Sequence, residues 1–173
     1  MAVIQIKKTT EDSMTERINN RSFILILTSL LLSASCNSDI VYTNSHSIAG
    51  KTWRLTDIPA FEVPVTDTLT ANNIWLMLRT GSGYPFRNIY LFVTAATPDG
   101  KVITDTLQFN LADEKGAWYG KGFGDIHALN LPYKSNVYFP LKGIYMFKIQ
   151  HGMRIEDLKG VYDIGLRVEK IKK

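Results

Sequence analysis

The chain of 173 residues contains few of the side chains that build covalent or metal-bound frameworks. It has one cysteine and three histidines, so it can form no intramolecular disulfide and no zinc site with two or more thiolates. Its 12 glycines follow no period and its apolar residues form no heptads, which excludes collagen-like and coiled-coil proteins. By contrast, 45% of the residues are hydrophobic and 11% are aromatic, which can build a core and excludes a mainly disordered chain.

The sequence also lacks an apolar run long enough to cross a membrane. The longest, residues 23–32, has ten residues, which make about 15 Å of helix against a bilayer core of about 30 Å. That length is typical of the apolar part of a signal peptide, and Arg17 and Arg21 supply the positive charge before it. Met14 is an alternative start of translation, from which the charged segment reads as a more ordinary signal peptide.

Small residues follow the apolar run and end at Cys36, a pattern that resembles a bacterial lipobox. In a lipobox the cysteine thiol receives a diacylglycerol, and the signal peptide is cut just before it. Leucine is commonest three places before the cysteine; here Ser33 stands there and Leu32 is one place earlier. We predict a lipoprotein signal peptide over residues 1–35 and lipidation of Cys36, since two or more acyl chains hold a protein stably at a membrane. The alternatives are a cleaved secretory signal, with Cys36 as an incidental thiol, and an uncleaved anchor.

The positive charge of the chain lies at its ends. The net charge is +4 for the whole chain and +3 without residues 1–35, because that segment carries four basic and three acidic residues. Lys170, Lys172 and Lys173 account for this excess, so the rest of the mature chain is nearly neutral. A nearly neutral body offers no broad basic surface to phosphates, and we predict no nucleic acid partner.

The mature chain shows the two-residue periodicity of half-buried β-strands. We interpret residues 36–57 as the lipidated cysteine and a tether that docks a first strand near residues 40–42, and residues 58–173 as one domain. No stretch of eleven residues shows a helical period. These patterns predict an all-β fold: a single antiparallel β-sandwich of about eight strands, jelly-roll-like or immunoglobulin-like.

Individual strands and one turn can be assigned from the pattern. Apolar and polar residues alternate over residues 61–65, where Pro64 predicts an edge strand because proline donates no ladder hydrogen bond. Residues 74–80 and 89–95 are apolar on both faces, which predicts central strands. The run Thr97-Pro-Asp-Gly100 predicts a turn that joins the second of these to the next strand as a hairpin. The remaining expected strands are residues 103–111, 137–139, 145–149 and 164–168.

A glycine-rich run, Gly120-Lys-Gly-Phe-Gly-Asp125, stands out locally. It lacks the spacing of a phosphate-binding loop and does not join a strand to a helix, so we interpret it as a tight loop. Trp118, Tyr119 and Phe123 lie in or beside it, and large amphipathic aromatic side chains are typical binding anchors. These three residues are the candidate partner-binding loop, with packing of the loop as the alternative.

The polar residues predict no catalytic or metal site. His46, His127 and His151 form none of the usual ligand spacings, and we interpret them as solvated loop residues. The sequence contains no nucleophile-elbow motif, and its adjacent acidic pairs lie beside Lys-Gly sequences typical of turns. We therefore predict no enzyme activity, no bound metal and no cofactor.

Six runs of the mature chain together carry a family resemblance. They are Gly83-Tyr-Pro-Phe-Arg-Asn-Ile-Tyr-Leu-Phe-Val93, Thr97-Pro-Asp-Gly-Lys101, Asp105-Thr-Leu107, Gly120-Lys-Gly-Phe-Gly-Asp-Ile126, His151-Gly-Met-Arg154 and Asp163-Ile-Gly-Leu-Arg-Val-Glu-Lys170. In these runs, and in their order over most of residues 36–170, the chain resembles the gliding-motility lipoproteins of the GldH type. Family members carry a Gln-Gly-Met-Arg run where this chain has His151 in place of the glutamine.

The resemblance implies an envelope lipoprotein needed for surface gliding, held at the membrane through Cys36. Its implied partners are other gliding-motility lipoproteins and the type IX secretion and motility machinery. The family also occurs in species that do not glide, and no catalytic residue is established for it. Asn37 follows the cysteine in place of the aspartate that commonly retains lipoproteins in the inner membrane, so we expect the outer membrane.

Two further expectations come from short patterns. Asp67-Thr-Leu69 and Asp105-Thr-Leu107 resemble the O-glycosylation acceptor of such bacteria, which makes Thr68 and Thr106 candidate modification sites. The alternative function is a carbohydrate-binding β-sandwich lipoprotein, in which an exposed tryptophan stacks on a sugar. Its candidate residues are Trp53, Trp75 and Trp118.

Overall fold

The computed structural model describes residues 39–171, and within this range the chain is built almost entirely of β-strands. The predicted signal peptide and Cys36 lie outside the described residues. A single 3-10 turn at Ala49–Lys51 is the helical element of this part of the chain. The strands are β1 (Ile40–Ser47), β2 (Thr52–Arg54), β3 (Ala60–Val65), β4 (Asn72–Gly81), β5 (Asn88–Ala96), β6 (Val102–Asn110), β7 (Lys121–Phe123), β8 (Ile126–Val137), β9 (Gly143–His151), β10 (Asp157–Lys159) and β11 (Val161–Lys170).

The strands form two antiparallel sheets and a small ribbon. The five-stranded sheet has the order β1-β11-β4-β8-β7, the four-stranded sheet β3-β9-β5-β6, and β10 pairs with β2. Eight of the strands have six or more residues, which agrees with the expected number. The predicted all-β, antiparallel sandwich is confirmed.

The order of the eight long strands is that of a jelly roll. Taken in chain order, the first pairs with the eighth, the second with the seventh, the third with the sixth and the fourth with the fifth. This is one long antiparallel hairpin rolled up so that its four pairs alternate between two sheets. Of the two arrangements left open by the sequence, the chain therefore has the jelly-roll arrangement.

Alternating apolar residues of both sheets meet in the core, as the two-residue period predicts. Phe61, Val63 and Val65 of β3 are buried while the residues between them are exposed. The expected central strands are central: β4 lies between β11 and β8, and β5 lies between β9 and β6. Trp53 is completely buried, so residues upstream of residue 58 also contribute to the core.

Strand β3 is an edge strand, and the register explains why Pro64 is tolerated there. The N–H of Ile149 donates to the carbonyl of Pro59 at 3.0 Å, so the odd-numbered residues along β3 exchange hydrogen bonds with β9. The backbone groups of Pro64, an even-numbered residue, point away from β9. The N–H that proline lacks would therefore not have bonded to β9 in any case. The predicted edge position is confirmed.

The predicted turn at residues 97–100 joins β5 to β6 as a hairpin. The N–H of Thr97 donates to the carbonyl of Lys101 at 2.8 Å, and the N–H of Gly100 donates to the carbonyl of Thr97 at 2.9 Å. Gly100 has a φ of 84°, which is in the left-handed region where glycine is at no disadvantage. The hairpin is confirmed.

The short strand expected at residues 137–139 is wrong. Val137 is the last residue of the twelve-residue strand β8, most of which the sequence pattern missed. Asn130, Pro132 and Asn136 resemble turn residues there, but the structure places Asn130 and Pro132 on the solvent face while Leu129 and Leu131 are buried. Packing against the opposite sheet determines the conformation here, because the burial of alternate leucines outweighs the weak local preference for a turn.

Candidate functional site

The candidate partner-binding loop joins β6 to the short strand β7. Three backbone hydrogen bonds hold it. The N–H of Tyr119 donates to the carbonyl of Leu111 at 2.9 Å, the N–H of Asp113 to the carbonyl of Ala117 at 2.9 Å, and the N–H of Gly116 to the carbonyl of Asp113 at 3.1 Å. A Cβ at Gly120 would lie 2.7 Å from the carbonyl oxygen of Ala128, so only glycine fits where this loop meets β8.

The aromatic side chains of the loop have different environments. Trp118 is half-buried, with its ring stacked on His127 at 4.8 Å between centroids and in edge contact with Tyr84 at 6.1 Å. Tyr119 is 64% exposed and is presented to solvent beside it. The side chain of Phe123, on β7, is outside the described structure. Trp118 therefore packs the loop against the sandwich, whereas the side chain of Tyr119 is available for contact with a partner.

The interpretation of the histidines as loop residues is wrong, because all three lie in strands, and only His46 is exposed as expected. His46 lies in β1, His127 in β8 and His151 at the end of β9. His151 is completely buried, and its ring lies at 5.4 Å from Trp53 in an edge contact. Strand alternation places His151 on the inner face with Ile149, a position that the sequence pattern of β9 could have indicated.

Burial sets the protonation of His151. Neither ring nitrogen has a hydrogen-bond partner of good geometry among the described residues. Burial lowers the pKa of the imidazole, and nearby backbone groups at Trp53 and Glu156 raise that pKa by less. His151 is therefore neutral near pH 7. Within residues 39–171 no three His, Cys, Asp or Glu side chains lie close enough together to hold a metal ion.

The tryptophans do not provide the exposed sugar platform expected for the carbohydrate alternative. Trp53 is completely buried, and its indole N–H donates to the carbonyl of Asp57 at 2.8 Å. Trp75 and Trp118 are half-buried. A sugar-binding role would have to use other aromatic residues.

Two grooves lie at one end of the four-stranded sheet. The larger, about 590 Å³, is lined by Phe86, Asn88, Tyr90 and the segment 152–155, which includes Arg154. A second groove of about 460 Å³ shares Asn88 and adds Arg87, Gln108, Asn110, Asp113, Glu114 and Tyr119. The sequence analysis missed these residues, although the position of Tyr90 between buried Ile89 and Leu91 already indicates the solvent face.

Three amide side chains line these grooves in adjacent positions. Asn88 lies directly opposite Asn110, and Tyr90 directly opposite Gln108, in the pairing of β5 with β6. No amide of Asn88, Gln108 or Asn110 makes a hydrogen bond within the described part of the chain. Side-chain amides beside an exposed tyrosine can donate to and accept from a polar ligand at the same time.

The two candidate glycosylation sites differ in exposure. Thr68 is half-buried, while Thr106 is exposed on β6. The preceding aspartates are both engaged: Asp67 accepts from the Thr70 hydroxyl at 2.7 Å, and Asp105 accepts from Tyr133 at 2.8 Å. The hydrogen bond from Thr70 is the main reason that the pKa of Asp67 is well below its usual range.

None of the helical structure in residues 39–171 is long and apolar enough to span a bilayer. Cys36, the predicted attachment point of the lipid, lies outside the described residues. Its modification stays a prediction from the sequence.

Comparison with known proteins gives consistent matches over the whole sandwich. The family model described as GldH lipoprotein matches residues 40–168. A gliding motility lipoprotein GldH homolog from Christiangramia forsetii is 36% identical over 155 residues, 86% of this chain and 94% of that protein. The gliding motility lipoprotein GldH of Flavobacterium johnsoniae is 36% identical over 161 residues, 89% of this chain and 98% of that protein. Because the matches run from β1 to β11 and include both sheets, the chain belongs to the GldH family of gliding-motility lipoproteins.

Proposed function

We propose that this protein is a noncatalytic envelope lipoprotein, anchored through lipid on Cys36, that binds other proteins of a motility and secretion assembly. The observation that carries the binding role is an apolar row across three strands on the outer face of the four-stranded sheet, which ends at Glu62 on the fourth strand, β3. In that row Met146, Ala96 and Val102 lie opposite one another on three neighbouring strands, and Ile144 follows beside Pro64. Val102 is 61% exposed and Ile144 is 56% exposed. Clustered exposed apolar side chains of this kind mark a contact surface.

The anchor and the sandwich have separate tasks in this proposal. Two or more acyl chains confine the domain to one membrane, and confinement raises its effective concentration near partners in the same membrane. Modest contacts from one face of a sheet are then sufficient for assembly. The relatives are named as gliding motility lipoproteins, which supports a motility assembly as the setting.

The anchor is tested by growing cells with an alkyne-labelled fatty acid and comparing the wild type with Cys36→Ser. Cys36 is the single cysteine of the chain, so all thioether-linked lipid label should be lost in the variant. Label that persists on the variant would contradict lipidation at this residue. Sucrose-gradient separation of inner and outer membranes tests the outer-membrane location in the same cells.

The partners are tested by affinity purification of the lipidated protein with its neighbours after crosslinking in the membrane. Other gliding-motility lipoproteins or components of the type IX machinery should be enriched over a lipid-anchored control domain. Repeated recovery of the bait without any of them would contradict the proposal.

We also propose Thr106, and less so Thr68, as O-glycosylation sites. Thr106 is exposed on an extended strand, where an acceptor hydroxyl is accessible, whereas Thr68 is half-buried. The intact mass of the mature protein tests this: Thr106→Ala should remove one glycan mass, and unmodified wild-type protein would contradict the assignment.

A carbohydrate-binding role remains a second candidate because of the groove at Asn88 and Tyr90. A tyrosine ring can stack on a sugar ring while neighbouring amides bond its hydroxyls. Titration of a glycan panel by calorimetry should give binding that Tyr90→Ala removes. Tyr138→Ala is the matched control, because Tyr138 is 58% exposed and does not line either groove. A flat titration with the wild type would dismiss this role.

A further inference from the structure

Strand β6 ends the four-stranded sheet and pairs with β5 alone. It has nine residues, Val102–Asn110, or about 30 Å at 3.3–3.4 Å per residue. An edge strand of that length presents a row of backbone donors and acceptors to whatever lies beside it.

The register shows which backbone groups face outward. At one end of the hairpin the N–H of Thr97 donates to the carbonyl of Lys101, and at the other the N–H of Leu111 donates to the carbonyl of Arg87 at 2.7 Å. In an antiparallel ladder such hydrogen-bonded pairs recur at every second residue. The odd-numbered residues of β6 therefore bond β5, and the even-numbered residues direct their N–H and C=O groups away from it.

The outward groups are those of the even-numbered residues, and the four before Asn110 are Val102, Thr104, Thr106 and Gln108. Among residues 39–171, β6 has no second neighbouring strand, and no other backbone group bonds these four residues. Their donors and acceptors repeat at the spacing that one more β-strand would satisfy.

Each of the other long edges carries at least one residue that hinders strand addition. On β3, Pro64 stands at an outward-facing position, as its register with β9 shows. On β1, the outward N–H of Ser45 donates to the side chain of its neighbour Asn44 at 2.8 Å. On β8, Pro132 lies beyond the short pairing with β7. Proline and local capping are common means of preventing unwanted strand pairing.

Strand β6 has none of these features. It contains no proline or lysine, and its single charged residue is Asp105. The Asp105 carboxylate is already bonded within the chain, by the hydroxyl of Tyr133 at 2.8 Å and by Lys134 at 2.9 Å. Val102 and Ile103 are 61% and 62% exposed. An unprotected edge with exposed β-branched residues is a site for strand addition.

We propose that β6 is completed by an extended strand of a partner protein, which adds a fifth strand to the four-stranded sheet. This inference rests on the proposed function, because it assigns the contact surface of the envelope assembly. The partner strand bonds the backbone of these four residues and lies against the side chains of Val102 and Thr104, so it is uncharged and rich in β-branched or hydroxyl side chains at the facing positions. A glycan on Thr106 stands on the outer face of the sheet, perpendicular to the backbone groups that pair, and leaves them accessible.

Hydrogen–deuterium exchange on the full lipidated protein tests the proposal without any variant. Peptides over residues 102–108 are compared between protein in its native envelope membranes and protein purified alone in detergent. We expect exchange at least tenfold slower in the membranes, with peptides over residues 43–47 of β1 unchanged. Equal exchange at residues 102–108 while partners still copurify would overturn the edge assignment and leave the proposed function standing.

A proline substitution in β6 gives a second test of the proposal. Thr104→Pro reproduces the arrangement of Pro64, because it removes an outward N–H and no hydrogen bond to β5. This variant should abolish the slow exchange and reduce partner recovery at least tenfold. Thr104→Ala keeps the N–H and removes the hydroxyl contact with Thr94 at 3.0 Å, so it should reduce partner recovery far less than Thr104→Pro does. Ser47→Pro places the proline on the outward side of β1 and should behave as the wild type. Slow exchange at residues 102–108 in a dimer of purified protein would show a second copy as the occupant and overturn the partner strand. Absence of any partner with the wild type would overturn the proposed function itself.

Discussion

The two edges of the four-stranded sheet, β3 and β6, differ in how the chain treats them. On β3, Pro64 blocks pairing, and the neighbouring strand β9 carries His151 against the completely buried Trp53. On β6, the outward backbone groups have no partner within the described residues, and Val102 and Ile103 are mostly exposed. This difference indicates that the β3 side of the sheet supports the fold, and under our proposal the β6 edge is where the partner binds. Substitutions on the two sides should therefore separate folding from binding.

The largest effect is expected on the β3 side, from Trp53→Ala. The indole is completely buried and bonds the carbonyl of Asp57, so its removal leaves a cavity and an unpaired acceptor. We expect a loss of about 3–5 kcal/mol in the free energy of unfolding, measured by urea denaturation. A loss below about 1 kcal/mol would show that this side does not support the fold as described.

The second-largest effect is the difference in stability between two proline substitutions at adjacent positions of β6. Ile103→Pro removes an N–H that bonds β5, and we expect a loss of about 2 kcal/mol or more. Thr104→Pro removes an outward N–H, and we expect less than about 0.5 kcal/mol, as for an ordinary surface change. Circular dichroism melts of the two variants measure both. Equal losses would contradict the register from which the open edge is derived.

The pH dependence of the free energy of unfolding should also distinguish the β3 side of the sheet from the β6 side. Burial lowers the pKa of His151, so the unfolded chain binds its proton at a higher pH than the folded chain does. Stability is therefore full above the ordinary histidine pKa of about 6.5 and falls as the pH drops below it. Urea midpoints at pH 7.5 and 5.5 should show this fall in the wild type.

His151→Gln is the matched variant, because glutamine does not titrate. Its urea midpoint should change less between the two pH values, while Thr104→Ala on the β6 side should retain the full fall. An unchanged pH dependence in His151→Gln would mean that another group causes it.

The smallest effect on stability is expected from Tyr119→Ala. The ring is 64% exposed, so the free energy of unfolding should change by less than about 0.5 kcal/mol. Trp118→Ala, which removes the ring stacked on His127, should cost clearly more. A comparable loss in both variants would show that Tyr119 supports the loop rather than facing a partner.

The sequence predicted those parts of the fold that depend on local pattern. Alternating residues at 61–65 and the proline within them gave β3 and its edge position, and the Thr97-Pro-Asp-Gly100 run gave the hairpin. Strand β8 was missed because Asn130 and Pro132 resemble turn residues, and only the opposite sheet requires an extended chain there. The jelly-roll order could not be read, since it depends on pairs far apart in the chain.

The candidate site was predictable to a smaller extent. Aromatic content pointed to the loop at Trp118 and Tyr119, but only packing shows that the tryptophan is tied to His127. The open edge depends on which residues of β6 bond β5, and a sequence pattern that predicts a strand does not predict its neighbours. The same limit hid the burial of His151, whose alternation with Ile149 is the one available signal.

The central claim, that β6 is the contact edge, is tested most directly by photo-crosslinking in growing cells. A photo-reactive amino acid replaces Val102 in one strain and Ser47, on the outward side of β1, in the other. The account predicts a crosslink from position 102 to a β-strand segment of another envelope protein, lost when Thr104→Pro is added, and none from position 47. Crosslinks of equal yield from both positions, or from position 47 alone, would contradict it.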